Sequence, residues 1–234
     1  MLKIENFEVM GWEHAIRGMR NPMNSWEKSD SFIPCWHKTK CHECEVNQKC
    51  AYYFEDGEPY KKGEFIGPND LDLMTRLRKG GSDDRKYLRM ITVYLDITAP
   101  LYWWKEFDTY KVGTVANSCS TMHKIAAKEF TLDDFSHEHL LGIAKDDLCG
   151  TTAVLNHFRK LYIETKDKKY WWQMIQLLPT SYNQRRTVML NYEVLVNMYH
   201  ARRNHKLDEW HTFCDWVESL PYSELIIGKE KNED

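Results

Sequence analysis

The stretch Met90-Ile91-Thr92-Val93-Tyr94-Leu95-Asp96-Ile97 alternates between apolar side chains at odd positions and mixed side chains at even positions. A period of two is the pattern of a strand with one buried face. Ala99-Pro100 follows at once, and proline suits the first turn of a helix. We therefore expect a strand that leads directly into a helix running from Pro100 to about Tyr110.

Apolar residues at helical spacing predict further helices on both sides of this strand. The expected helices are Trp12 to Met19, stopped by Asn21-Pro22; one capped by Asn69 and closed by Gly80-Gly81; Val154 to Tyr162; Trp171 to Leu178; a long one capped by Ser181 with Val188, Tyr192, Leu195 and Tyr199 buried; and Leu207 to Leu220. The small polar residues at 114–121 predict a loop or an edge strand. A strand beside several amphipathic helices predicts an α+β fold.

We expect one domain over residues 1–227 and a disordered, charged tail at 228–234. Residues 20–68 hold four of the seven cysteines and four of the seven prolines, which predicts an irregular cysteine-rich insertion in the N-terminal third. We expect residues 69–217 to form the core of this domain.

Charge and hydropathy argue against two classes of protein. The net charge is −3, which argues against bulk nucleic-acid binding because no broad basic surface is available. No apolar run approaches the roughly 20 residues that cross a bilayer, and the first residues lack the plan of a signal peptide. We expect a soluble, cytoplasmic protein whose cysteines are thiols or metal ligands.

Two stretches carry residues suited to a phosphorylated ligand. Asn191, Leu195, Met198 and Arg202 are spaced as one stripe of a helix, so an amide and a guanidinium point the same way. An arginine so placed can grip a phosphate with two parallel hydrogen bonds. The plainer alternative is a solvated helix face.

The second stretch runs from Trp103 to Ser120, in which an aromatic helix ending at Lys111 precedes a loop rich in hydroxyls and amides. A cation and short donors suit the charge and oxygens of a phosphorylated ligand. Such residues are also common in loops of every kind.

Together the two stretches resemble the flavin-dependent thymidylate synthases. That family has Ala-Pro before an aromatic helix and then the signature Arg-His-Arg, two residues, Ser, one residue, Asn, two residues, Ser, one residue, Arg. Ala99-Pro100 here sets Thr109-Tyr110-Lys111 at the Arg-His-Arg place, with Thr114 at the first Ser and Cys119 at the second. Asn117 and Ser120 each lie one residue beyond the family's Asn and second Ser.

The C-terminal half resembles the same family in spacing. Leu178-Pro179 precedes Asn191 by the family's interval, Asn197 falls where the family has His or Asn, and Arg202 matches the arginine of its Leu-Arg pair. Four arginines of the family are replaced here. Thr109 and Lys111 stand for the two of Arg-His-Arg, Thr121 for the closing Arg of the signature, and Glu193 for the Arg of an Asn-x-Arg motif that begins at Asn191. Each change weakens phosphate binding in the family's manner.

The resemblance implies a homotetramer that binds FAD and deoxyuridylate where subunits meet. Such enzymes take a methylene group from methylenetetrahydrofolate, and reduced flavin, recharged by NADPH, supplies a hydride to complete the methyl group. The resemblance assigns flavin contacts to Lys111, Thr114, Asn117, Asn191 and Asn197. It assigns substrate contacts to Lys105, Cys119, Ser120 and Arg202.

A separate pattern is the symmetrical C-x5-C-x2-C-x5-C formed by Cys35, Cys41, Cys44 and Cys50. Four thiolates within sixteen residues can close around one tetrahedral Zn²⁺, and an iron–sulfur cluster would use the same ligands. Unligated thiols in a lysine-rich loop are the alternative.

Two other hypotheses remain open from the sequence. One is a non-catalytic binding or regulatory protein that keeps the fold and uses the metal-stabilised cysteine segment to contact a partner. The other is a redox protein with an iron–sulfur cluster beside a flavin pocket.

Overall fold

The structure, a computed structural model, describes residues 1–31 and 66–228, with the backbone of two short strands between them. The strands are β1 (Lys3–Met10), β2 (Tyr53–Glu55), β3 (Glu58–Tyr60), β4 (Thr92–Pro100), β5 (Val115–Ser118) and β6 (Asn183–Asn191). The α-helices are α1 (Trp12–Arg20), α2 (Pro68–Lys79), α3 (Leu101–Phe107), α4 (Thr121–Lys124), α5 (Ile143–Thr165), α6 (Lys168–Leu177), α7 (Tyr192–Arg202), α8 (Asp208–Glu218) and α9 (Glu224–Ile227). Of the described helices, none is both long enough and apolar enough to span a bilayer.

The chain divides into two compact units. The sheet unit contains residues 1–10 and 92–227, and the N-terminal unit contains residues 11–91 and the chain from 228 onward. The predicted tail lies outside the described residues from 229 onward.

The sheet unit is built on four antiparallel strands in the order β1-β4-β6-β5. The predicted strand is β4. Its Val93, Leu95, Ile97 and Ala99 are buried, so the odd positions form the buried face, as the period of two predicted. The strand also takes in Pro100, which precedes α3 rather than beginning it, and the helix ends at Phe107, three residues earlier than expected. The α+β prediction is confirmed, and the sheet is antiparallel.

The prediction of one long helix from Ser181 is wrong, because residues 183–191 form β6. Nine residues of β6 pair with β4, from Asn183 opposite Pro100 to Asn191 opposite Thr92. Val188 and Leu190 are buried while Arg185 and Thr187 are exposed, which is the alternation of a strand. The helical spacing from Val188 onward was a coincidence across the junction between β6 and α7.

Two apolar clusters hold the helices of the sheet unit. Aromatic rings from α3 and α8 form the first, in which Trp103 lies 5.0 Å from Trp104, 4.7 Å from Trp210 and 5.9 Å from Phe213 between ring centroids. The second joins α5 and α6 to the chain before them through Ile125, Phe130, Phe135, Leu148, Leu155 and Met174. The tryptophan-rich composition of α3 therefore reflects packing.

In the N-terminal unit, α1 and the end of α2 at Gly80 match the predictions, but the start of α2 does not. Gly67, and not Asn69, is the cap, and Pro68 begins the helix. The side chain of Asp30 accepts hydrogen bonds from the backbone N–H groups of Asn69 (2.9 Å) and Asp70 (3.1 Å). A carboxylate from a distant part of the chain thus does the capping that was assigned to Asn69.

Ser31 and Gly67 are held beside each other at this same place. The backbone N–H of Gly67 donates to the Ser31 hydroxyl at 3.0 Å, and Ser31 in turn donates to Asp70 at 2.6 Å. The carboxylate of Asp70 also accepts from Arg20 at 2.6 Å and from Ser29 at 2.7 Å. Ser31 and Gly67 therefore belong to one hydrogen-bonded cluster of the N-terminal unit.

Candidate functional site

The loop between α3 and β5 lies against the start of α7. Gly113 has a φ of +77°, and a Cβ placed on it would approach Asn191 Nδ2 to 3.0 Å and Val194 Cγ2 to 3.1 Å. The tight approach needs glycine, since a side chain would both strain the backbone and crowd α7. Two stretches far apart in sequence, each singled out for a phosphorylated ligand, are therefore neighbours in the sheet unit.

Asn191 ends β6 and caps α7. Its side-chain oxygen accepts a hydrogen bond from the backbone N–H of Val194 at 3.0 Å, so the carbonyl end of the amide is occupied by the helix. The expectation that Asn191 lies on a helix face is wrong by one position, because the helix begins at Tyr192.

Arg202 lies at the opposite end of α7. It is eleven positions from Asn191, which is about 16 Å along a helix, so the two side chains do not converge on one phosphate. Arg202 Nη1 bonds Glu106 at 2.8 Å, its Nε donates to the Tyr110 hydroxyl at 2.9 Å, and its guanidinium carbon lies 5.0 Å from the centre of the Trp210 ring. Burial alone would lower the pKa of Arg202, but the bonds to Tyr110 and Glu106 raise it.

β5 is an edge strand of the sheet and continues the loop. All four of its residues are exposed, including Asn117. The hydroxyl of Thr114 just before it is buried and has no hydrogen-bond partner in the described part of the chain. A buried hydroxyl without a hydrogen-bond partner lowers the stability of the folded protein. A ligand atom that bonds the Thr114 hydroxyl would remove this cost.

The other predicted side chains lie on α3, on α7 and on the chain from Lys111 to Ser120. Lys111, Cys119, Lys105 and Asn197 are exposed. Ser120 caps α4 by accepting a hydrogen bond from the backbone N–H of His123 at 3.2 Å. Exposed lysines and a free thiol leave the loop open to a ligand.

Arg186 is the residue of this region that sequence reasoning missed. It lies opposite Ser118 in the register of β5 and β6. Its Nη1 bonds Asp108 at 2.7 Å, its Nε donates to Gln184 at 3.0 Å, and its guanidinium carbon lies 4.1 Å above the centre of the Trp104 ring. Had residues 183–191 been assigned to a strand, the period of two would have placed Arg186 on the same face as Val188.

Among the described residues no three His, Cys, Asp or Glu side chains are grouped as metal ligands. Cys35, Cys41, Cys44 and Cys50 lie outside the described residues. Of the histidines outside the loop, His137 bonds the Phe135 carbonyl and His139 contacts Asp208 at 3.2 Å.

No protein-family model matches this chain, and no curated protein matches its sequence. Solved structures do match it. The flavin-dependent thymidylate synthase ThyX of Helicobacter pylori, complexed with FAD and dUMP, matches in two crystal structures. They are 14% identical to this chain, with TM-scores of 0.64 and 0.65. The matches cover 97% and 99% of this chain, and 98% and 100% of the ThyX chains.

A third structure is the UMP/dUMP methylase PolB of Streptomyces cacaoi bound with 5-Br dUMP. It is 11% identical, has a TM-score of 0.51 and covers 94% of this chain and 89% of its own. Nearly the whole chain is aligned in each case, so the resemblance noted in the sequence extends to the architecture. This chain has the fold of the flavin-dependent thymidylate synthases.

Proposed function

We propose that this chain binds FAD and a pyrimidine deoxynucleotide along the loop from Lys111 to Ser120 and the adjoining start of α7. The observation that carries the proposal is the buried, unpartnered hydroxyl of Thr114, which lies where the family has its first signature Ser. A ligand oxygen or nitrogen at this point would satisfy that hydroxyl. Solved structures of the same fold contain FAD and dUMP, which supports these two ligands.

The proposed flavin contacts are Lys111, Thr114, Asn117, Asn191 and Asn197. The amide nitrogen of Asn191 faces Gly113 and can donate to a ligand, while its oxygen stays on the helix cap. The proposed substrate contacts are Lys105, Cys119, Ser120 and Arg202. Because Glu106 and Tyr110 already hold Arg202, we expect it to support the Tyr110 loop more than to grip a phosphate alone.

The proposed reaction is the addition of a one-carbon unit to the pyrimidine, for which a bound reduced flavin would supply hydride. The residues of this chain would bind the flavin and the pyrimidine nucleotide and orient them toward each other. A homotetramer is part of the proposal, supported by the exposed edge of β5 and by exposed apolar side chains such as Val112 (90% exposed) and Val115 (59%) in the sheet unit. Light scattering on the purified protein should give the mass of four chains.

The Thr114 hydroxyl gives a sharp test, because the Thr114→Val variant should change stability and affinity in opposite directions. Removing an unsatisfied buried hydroxyl should leave the melting temperature of the ligand-free protein unchanged or raised. The same change should weaken FAD binding about 3- to 10-fold, the loss of one hydrogen bond. Calorimetric titration with FAD, with differential scanning fluorimetry, measures both.

Thr212→Val, the same chemical change at an exposed position of α8, is the matched control and should leave both quantities unchanged. A protein without a flavin absorption spectrum that shows no thermal shift with FAD or dUMP would contradict the proposed function. Equal FAD affinity of the Thr114→Val variant and the unaltered protein would contradict the assignment of Thr114.

The four-cysteine metal site is proposed on its spacing alone. Elemental analysis of freshly purified protein should give about one zinc per chain or, for a cluster, iron with sulfide. A Cys41→Ser and Cys44→Ser double variant should lose it. Metal-free protein would contradict this part of the proposal and leave the nucleotide site untouched.

A further inference from the structure

We propose that Arg186, on β6, is the residue that holds the phosphate of the nucleotide in this chain. The inference rests on the proposed function and names the group that recognises the anion. Arg186 is not one of the residues on which the resemblance rests, although it lies between Leu178-Pro179 and Asn191.

The guanidinium of Arg186 is fixed before any ligand arrives. It stacks over Trp104, which is itself anchored because its indole N–H donates to the Gln184 carbonyl at 2.9 Å. The side chain of Gln184 accepts from Arg186 Nε and donates to the Cys119 carbonyl at 3.0 Å. An arginine held flat in this way loses little conformational entropy on binding an anion.

One edge of this guanidinium remains available. Nε bonds Gln184 and Nη1 bonds Asp108, whereas Nη2 has no hydrogen-bond partner in the described ranges 1–31 and 66–228. The side chain is 15% exposed, so the edge reaches solvent from a largely desolvated setting. A charge-assisted hydrogen bond is strong in such surroundings.

The position of Arg186 matches the end of the loop assigned to substrate. Arg186 pairs with Ser118 across the sheet, and Gln184 links it to Cys119. The hydroxyls of Ser118 and Ser120 flank Cys119 in sequence and are of the kind that share phosphate oxygens with an arginine. A planar guanidinium beside short hydroxyl side chains favours a phosphate group as the ligand.

Other cations of the sheet unit near this loop are less suited. Arg202 is held by Glu106 and Tyr110, and Arg185 bonds Asp96 at 2.7 Å from an exposed position on the other face of β6. Lys105 and Lys111 are exposed and flexible, and they lack the fork of a guanidinium. The signature arginines are replaced at 109, 111 and 121, so an arginine from the next strand would restore the lost charge.

Asp108 competes with a phosphate for the Arg186 guanidinium, and this competition can be tested. Its carboxylate already neutralises part of the Arg186 charge, and its side chain is 51% exposed. Removing that charge in Asp108→Asn leaves an oxygen that can still accept from Nη1 but no longer offsets the Arg186 charge, so phosphate binding should strengthen, whereas Arg186→Gln should weaken it. Opposite effects at two bonded residues are not the signature of general structural damage.

The experiment is calorimetric titration of the full chain with dUMP and with deoxyuridine, which differ only in the phosphate. Arg186→Gln should lose about 10- to 100-fold in dUMP affinity and change deoxyuridine affinity less than about twofold. Arg186→Lys should lie between, and Asp108→Asn should bind dUMP a few-fold more tightly. Arg185→Gln, the neighbouring arginine on the other face, should behave like the unaltered protein.

Equal dUMP affinity in the unaltered protein and Arg186→Gln overturns the inference and leaves the proposed function standing. Equal losses for dUMP and deoxyuridine also overturn it, since the phosphate would not be the group affected. If the unaltered protein binds neither FAD nor nucleotide, the proposed function fails. Inorganic pyrophosphate then tests the anion site by itself. It should raise the melting temperature of the unaltered protein and not that of Arg186→Gln. Any other result overturns the inference as well.

Discussion

Asp70 is a fully buried carboxylate whose charge is balanced within the N-terminal unit. It bonds Arg20, which is also buried, and accepts from Ser29 and Ser31. Burial alone would raise the pKa of Asp70, but the hydrogen bonds from Ser31, Ser29 and Arg20 outweigh it and lower the pKa. The charged form of this residue is therefore favoured in the folded protein.

The Asp70→Asn variant should lose about 3–5 kcal/mol of unfolding free energy, because it leaves the Arg20 charge buried without its partner. Urea unfolding followed by circular dichroism measures the loss. Asp72→Asn, two residues away, removes an exposed pair with Arg76 and should cost less than about 0.5 kcal/mol. Similar losses in the two variants would contradict the argument.

The described cysteines differ in reactivity because they differ in burial. Cys119 and Cys149 are exposed, and Cys214 is buried, which raises the pKa of its thiol to about 11. Iodoacetamide at pH 8 should label the first two in the folded protein and label Cys214 only after unfolding. Mass spectrometry of the peptides distinguishes the sites.

Saturating nucleotide adds a test of the site. With dUMP at about ten times its Kd, labelling of Cys119 should slow about tenfold while labelling of Cys149, on α5, should not change. Unchanged labelling of Cys119 under these conditions would remove it from the proposed substrate contacts.

The sequence could identify Lys111, Thr114 and Asn191 as candidate site residues, because a family spacing survives there. It could not identify Arg186. The environment of that side chain depends on Trp104 and Asp108, about eighty residues away, which only the pairing of β6 with β4 and β5 brings near.

At the scale of elements, β4 and most helices follow from local patterns, whereas β6 does not. Val188, Tyr192, Leu195 and Tyr199 are spaced as a helix although the first belongs to a strand, and nothing local marks the junction at Asn191 except its capping side chain. Strand identity there is set by non-local pairing, which overrides local propensity. The same limit explains why the sheet order could not be predicted.

Gly150 offers a stabilising substitution within α5. It lies inside the helix, and a Cβ at this position would meet no atom within 4 Å. Gly150→Ala should therefore raise the unfolding free energy by about 0.5–1 kcal/mol, since alanine reduces the entropy lost on folding. Urea unfolding of the variant gives the value, and a loss of stability would contradict the packing described for α5.

Gly113→Ala is the opposite case. Its positive φ and its approach to Asn191 and Val194 should make the same substitution destabilising, by about 1 kcal/mol or more, and should displace the loop. Affinity for FAD should fall with it. Stability equal to that of the unaltered protein would show that the loop tolerates a side chain at this position.

At the scale of the whole molecule, the free energy of unfolding should fall at both acidic and alkaline pH. The pKa of Asp167 is lowered by the backbone N–H of Lys169, and that of Asp70 is lowered by its hydrogen bonds. Groups with lowered folded pKa values stabilise the protein above about pH 4, the unfolded value, and that stability is lost as pH falls through the folded values.

The alkaline limit has the opposite sign. Burial raises the pKa of Cys214 to about 11 and, with the hydrogen bond to Glu218, that of Tyr199 to about 12. Their contribution is present below the unfolded values near pH 9 and 10 and is lost as pH rises through the folded ones. Urea midpoints between pH 2 and 11 should form a plateau from about pH 5 to 8.5, and a maximum outside that range would contradict these assignments.

The hydrogen-bonded cluster of Ser31, Gly67 and Asp70 holds together the two residues, Ser31 and Gly67, that flank residues 32–66 in the sequence. Because Ser31 and Gly67 already touch, this junction imposes almost no minimum length on the chain that joins them. The same junction is where a protein engineer would splice a fluorescent reporter or an affinity handle into this chain.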